Sequence, residues 1–111
     1  EGRNLAGSCS NSTRGLWGGG RTPGDKNIID FITIATLGNA QDFGDLTSTR
    51  ALVSACSSST RGVFSGGLDS STLLNTMDFI TIATTGNAVD FGDLTATTHS
   101  MAGCSNAHGG L

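Results

Sequence analysis

Residues 30–47 read DFITIATLGNAQDFGDLT and residues 78–95 read DFITIATTGNAVDFGDLT, near-copies at an offset of 48. Outward from them, CSNSTRG at 9–15 is echoed by CSSSTRG at 56–62, 47 residues later, and a decayed third copy, CSNAHGG, begins at Cys104. The chain thus divides into a first module (1–47), a second (48–95) and the opening of a third (96–111), a candidate strand-exchange or closure segment. A repeat of this length points to units that cannot bury an apolar face alone and need a neighbour to supply the other half. Two modules and a fraction make a poor closed structure, so the expectation is self-association or further modules of a longer chain.

Gly makes up 17 of 111 residues, Pro23 is the only proline, and Ser and Thr are abundant. Such a composition suits short strands joined by tight turns and disfavours long helices. The glycines recur at fixed offsets beside apolar runs, which argues against a disordered linker. Six Lys and Arg against nine Asp and Glu give a net charge of −3. No basic patch for a nucleic-acid backbone is present, and no apolar run is long enough for membrane insertion as a helix. Cys9, Cys56 and Cys104 share one register, one per module. That pattern argues against an internal disulfide framework and favours small buried thiols. A shared metal would require the sulfurs to converge, whereas packed sheets lie about 10 Å apart.

Within the second module, 50–57 reads as a short strand, 58–60 as a turn and 61–67 as a strand ending in a glycine pair. Residues 68–77 differ most between the two copies, with a one-residue change in length, and read as a surface loop. Residues 78–84 are the strongest predicted strand, with Phe79, Thr81 and Ala83 on one face and Ile80, Ile82 and Thr84 on the other. Gly86 and Asn87 supply a turn, 88–91 a fourth strand, and Gly92 with Asp93 a further turn. The predicted fold is all-β, with four-stranded antiparallel blades of a β-propeller, incomplete in one chain because closure takes about four to eight blades. A six-bladed ring of three chains would close it, with 98–105 exchanged as a strand between neighbours. A linear, solenoid-like stack is the alternative.

A strand ending in a glycine pair (Gly18, Gly19 and Gly20; Gly66 and Gly67), then a loop, then a strand near Asp78 and Phe79 resembles a Kelch-type blade, though the later Tyr and Trp of that repeat are missing. More closely, ITIATTGNAVDFGDLT together with CSSSTRGVFSGG is similar to repeats in long proteins of tailed bacteriophages. The resemblance covers nearly all of the chain. It implies a virion protein of the tail fibre or another appendage, structural and adhesive in role. The alternatives are an extracellular filament or surface adhesin built from blades, and part of a glycan-cleaving depolymerase. Expected partners are other copies or blades and a host surface glycan or receptor.

Asp42–Phe43–Gly44 and Asp90–Phe91–Gly92 spell the kinase metal-binding tripeptide without the nucleotide loop, strand lysine or catalytic-loop aspartate that a kinase needs. They read instead as turns, with Phe43 and Phe91 between blades and the aspartates accepting backbone N–H bonds. Asp42 with Asp45, and Asp90 with Asp93, also offer hard oxygens to Ca²⁺, but without the alternating ligands of a dedicated loop. Their repetition argues against a catalytic pair for glycoside hydrolysis. No catalytic, cofactor or metal residue is assigned.

Arg14 and Arg61 occupy one repeat position and are expected to pair with a carboxylate such as Asp45 or Asp93. Trp17, where the second module has Phe64, reads as a core position rather than a glycan-binding rim aromatic. His99 and His108 have no third ligand at zinc spacing. Asn11 opens a glycosylation sequon in a turn. The variable connections place Arg21, Asp25, Lys26, Asp69 and Asn75 as candidate ligand-facing residues.

Overall fold

The computed structural model describes residues 2–99 and 102–103, and it is all-β, with two antiparallel sheets and no helix among those residues. The first sheet is an up-and-down run of β1 (Gly7–Ser10), β2 (Arg14–Gly18), β3 (Ile28–Thr33) and β4 (Gln41–Asp45). The second holds β5 (Ser54–Ser57), β6 (Arg61–Ser65) and β8 (Thr72–Thr81) in order, with β9 (Val89–Thr98) and the two-residue β7 (Leu68–Asp69) both paired to β8.

The CSxSTRG motif is a hairpin in both copies. In the first, Asn11 Oδ1 accepts from the backbone N–H groups of Thr13 and Arg14. In the second, Ser58 Oγ does the same for Thr60 and Arg61. A short polar side chain thus closes each turn by mimicking a backbone acceptor. The chain leaves β2 through Gly19 and Gly20, and β6 through Gly66 and Gly67, all at positive φ. A Cβ at Gly19 would stand 2.6 Å from the carbonyl oxygen of Arg50, so only glycine lets the crossing chain approach so closely.

Several boundaries differ from the sequence expectation. The strand predicted at 78–84 starts earlier, at Thr72, and ends at Thr81, because Thr84 N–H turns back to the Thr81 carbonyl, as Thr36 does to Thr33. The strand predicted at 50–57 begins only at Ser54. Residues 50–53 cross between the sheets instead, held by Arg50 N–H on the Lys26 carbonyl and by an Ala51–Leu68 bridge. The loop predicted at 68–77 is a hairpin of β7 and the first half of β8, stabilised because β9 pairs with Thr76 through Asp93 and with Leu74 through its last residue, Thr98. Gly92 and Asp93 do not turn the chain: they lie inside β9, where the register shifts opposite Met77 and Asp78. Gly44 and Gly92, at φ 154° and 151°, mark a glycine bulge in each module rather than a turn. Half of the strand predicted at 98–105 falls outside the described residues, as do Cys104 and His108, and Thr98 ends β9.

The core is the space between the sheets. Leu16, Phe31, Phe43 and Leu46 of the first module meet Val53, Phe64, Ile80, Ile82 and Ala88 of the second, and β1 and β5 are the strands through which the sheets approach most closely. Gly18 sits flat against the Phe64 ring, where a Cβ would be 2.8 Å from it, and Gly62 lies against Cys9 Sγ. Burying these faces is the main favourable term in joining the two modules.

Candidate functional site

The tightest polar cluster lies where the chain passes from one module to the next. Arg50 Nη2 donates to Asp78 Oδ2 at 2.6 Å, and Nη1 donates to the carbonyls of Gly66 and Thr76 at 2.9 and 3.0 Å. Thr47, the last residue of the first module, completes the carboxylate: its N–H donates to Oδ2 at 3.0 Å and its hydroxyl to Oδ1 at 2.6 Å. Both charged side chains are fully buried. Burial pulls the Arg50 guanidinium below its usual range, and the adjacent Asp78 carboxylate opposes that pull.

The first module repeats the device. Arg3 donates to Asp30 at 2.7 Å and to the carbonyls of Gly19 and Ile28. Arg3 and Arg50 are 47 apart, Asp30 and Asp78 48 apart, the same offsets as the two motifs. The sequence reading missed this pair of ion pairs, although a search for charges at the repeat offsets would have found it.

Arg14 and Arg61, expected to bind Asp45 or Asp93, do not. Their guanidinium groups lie over the rings of Phe31 and Phe79, at 4.5 and 4.6 Å from the centroids, and Arg14 also donates to the Ile82 carbonyl at 2.9 Å. A planar cation satisfied by a π face and a carbonyl needs no carboxylate. Asp42, Asp45, Asp90 and Asp93 stand exposed in β4 and β9, not in turns. Among the described residues no three His, Cys, Asp or Glu side chains are grouped to hold a metal.

Phe31 and Phe43 meet edge to face at 5.7 Å, and Phe79 and Phe91 repeat the contact at 5.9 Å. Phe43 is 3 % exposed beneath the second module, whereas Phe91, with no module over it, is 50 % exposed. The opposite faces invert the pattern. Phe64 and Ile82 are fully buried under the first module, and their counterparts Trp17 and Ile34 are 40 % and 52 % exposed. Trp17 is therefore a core position by equivalence but an open one in this structure. Each module carries a Phe face and an Ile face, and the junction joins the Phe face of the first to the Ile face of the second.

The backbone seals the same junction. Gly86 and Ala88 N–H donate to the carbonyls of Phe43 and Asp45, both at 2.8 Å, and Asp45 N–H donates to Asn87 Oδ1 at 3.0 Å. The residue that looked like half of a simple turn, Asn87, is thus a junction acceptor.

Of the candidate ligand-facing residues, Arg21 Nε is paired with Asp25 at 2.6 Å, and Asp25 also accepts from Ser70 N–H in the second module. The Arg21 hydrogen bond holds the Asp25 carboxyl below its usual range. Asp69 accepts from the Thr49 hydroxyl, Lys26 is half-buried with its backbone tied to Gly20 and Arg50, and Asn75 lies within β8. The two variable connections therefore meet at one rim of the molecule, and Arg21 and Asp25 largely satisfy each other there. Cys9 is unbridged, and burial, helped by neighbouring Cys56, pushes its thiol up to about 12. No protein-family model matches the sequence, and no curated protein matches it.

Proposed function

We propose that the chain is a non-enzymatic structural repeat segment of a tailed-phage virion appendage, each module serving as one four-stranded blade of a Kelch-like propeller, with an adhesive rim formed by the variable connections. The observation that carries the structural role is the junction: one sheet, used twice, buries the Phe face of one copy against the Ile face of the next. A repeat of that kind extends an architecture without a new interface for each step. The phage assignment rests on the likeness of the ITIATTGNAVDFGDLT and CSSSTRGVFSGG phrases to phage repeats. The adhesive role is supported by the meeting of residues 21–25 and 70–71, which vary between the copies at one edge of the sheets.

The absence of enzyme activity is part of the proposal: the repeated carboxylates stand exposed on strands, and the buried Asp78 is committed to Arg50 and Thr47. Antibody raised against the chain should label tails or appendages of intact particles. Label confined to particle-free filaments would reject the virion role in favour of an extracellular filament. Release of reducing ends from host polysaccharide, abolished by Asp42→Asn or Asp90→Asn, would reject the non-enzymatic reading.

A further inference from the structure

The two modules leave one half of their own junction open at each end. On the first module the Ile face (Trp17, Ile34, and the loop of Gly38, Asn39 and Ala40) is exposed, whereas its counterparts in the second, Phe64, Ile82 and Ala88, are buried. On the second module the edge strand β9 and its Phe face are open: Phe91 is half exposed and Leu94 half-buried, where Phe43 and Leu46 are covered. We infer that these two faces are a matched pair, and that the Phe face of one copy of this chain docks on the Ile face of a second copy, head to tail.

The two open faces continue the junction already formed inside the chain. The groups that Phe43, Asp45, Gly86, Asn87, Ala88, Arg14 and Thr47 bring to the junction have equivalents at the open ends. Gly38 N–H takes the place of Gly86 N–H and meets the Phe91 carbonyl as Gly86 meets that of Phe43. Ala40 N–H meets the Asp93 carbonyl as Ala88 meets that of Asp45. Asn39 Oδ1 receives Asp93 N–H as Asn87 receives Asp45 N–H. Arg61, already over Phe79, reaches the Ile34 carbonyl as Arg14 reaches that of Ile82. Thr95 caps Asp30, whose side chain is still 28 % exposed, as Thr47 caps the fully buried Asp78. The glycine bulge fits the same plan: a Cβ at Gly44 would stand 2.1 Å from the Gly86 carbonyl oxygen, and the space before Gly92 is empty and ready for Gly38.

Gly103 already lies against Ala55 and Cys56, so the surface offered to the second copy is the part built from β6, β8 and β9. A head-to-tail contact of this kind is heterologous, and repeats into a ring or a filament according to the rotation per step. The inference rests on reading the chain as a repeat segment, but it is tested on the purified chain. It can therefore fail while labelling of virions succeeds, and the reverse.

The experiment uses sedimentation equilibrium of the 111-residue chain together with the emission of Trp17, the only tryptophan, which lies on the Ile face. The parent should gain mass with concentration while Trp17 emission shifts to the blue. Ile34→Glu, which spoils the Ile face, and Phe91→Glu, which spoils the Phe face, should each remain monomeric. Mixed in equal amounts they should form a dimer and nothing larger, because each chain keeps one intact face of opposite kind. Urea midpoints within a few tenths molar of the parent establish that the variants fold. If either fails that check, Asn39→Ala and Arg61→Ala replace them, with a weakening of self-association of at least tenfold expected in each. A parent that stays monomeric up to millimolar concentration overturns the inference. So do folded single-face variants that assemble like the parent, or a mixture that gives no dimer.

Discussion

Replacing Asp78 by Asn removes a charge from the centre of the molecule with little change of shape. The amide oxygen can take the place of Oδ2 and accept from Arg50 and from Thr47 N–H, and the amide NH₂ then faces the Thr47 hydroxyl, which rotates to accept. The hydrogen bonds survive, and the loss is the compensation of a guanidinium that is wholly out of water. Breaking a buried pair from one side costs about 3–5 kcal/mol. With a urea slope of about 2 kcal/mol per molar, the unfolding midpoint should fall by roughly 2 M. The internal control is Asp30→Asn: its carboxylate is partly wet, water screens the pair from that side, and the cost should be about 1 kcal/mol. Chemical unfolding of the two variants side by side is the assay. Equal midpoint shifts, or a shift below about 0.5 M for Asp78→Asn, would refute the claim that burial of the second pair sets its worth.

Gly44→Ala should destabilise the chain by at least about 2 kcal/mol more than Gly92→Ala: an alanine is strained at the positive φ of either position, but only at the first would its Cβ press on a neighbouring backbone, and urea midpoints measure the difference. Cys9 has a folded pKa raised from 9.0 to about 12, so its contribution is fully present below pH 9 and is lost as pH rises through that window. The chain has no tyrosine to obscure the effect, and alkaline unfolding should move to higher pH in Cys9→Ala relative to its own neutral stability. Thiol labelling at pH 8 should modify Cys9 far more slowly than a free cysteine, and equal rates would show that the thiol is open. Asp25 has a lowered folded pKa, so its clasp on Arg21 and Ser70 is present above the unfolded value and lost as pH falls through the folded one; Asp25→Asn should flatten the acid limb of the stability profile.

The duplicated phrase made the all-β class, the hairpin at CSxSTRG and the third strand legible, because each depends on residues close in sequence. The boundaries of β8 were hidden, since Thr72 and Leu73 are held by the two-residue β7 and Leu74 by the distant Thr98, and neither pairing shows as a pattern within residues 72–77. The Gly of DFGD was read as a turn for a related reason. A bulge and a turn demand the same positive φ, and only the opposing strand decides between them. Arg14 sits in a motif, yet Arg3 and Arg50 make the ion pairs, the second of them fully buried: their carboxylates lie 27 and 28 residues away, beyond the reach of a local pattern. The meeting of Asp25 with Ser70 was likewise out of view, because 45 residues separate them.

Thr47 has a consequence for how such a chain can grow. It closes the first copy of the repeated phrase and fastens the carboxylate that opens the second, so the first copy is stitched forward by its own final residue. Insertion or deletion of one whole period within the near-identical stretches 30–47 and 78–95 would still set a Thr at the end of one phrase before an Asp at the start of the next. A protein built this way can be lengthened or shortened by copying errors alone, and its length is open to selection without a single new contact having to be invented.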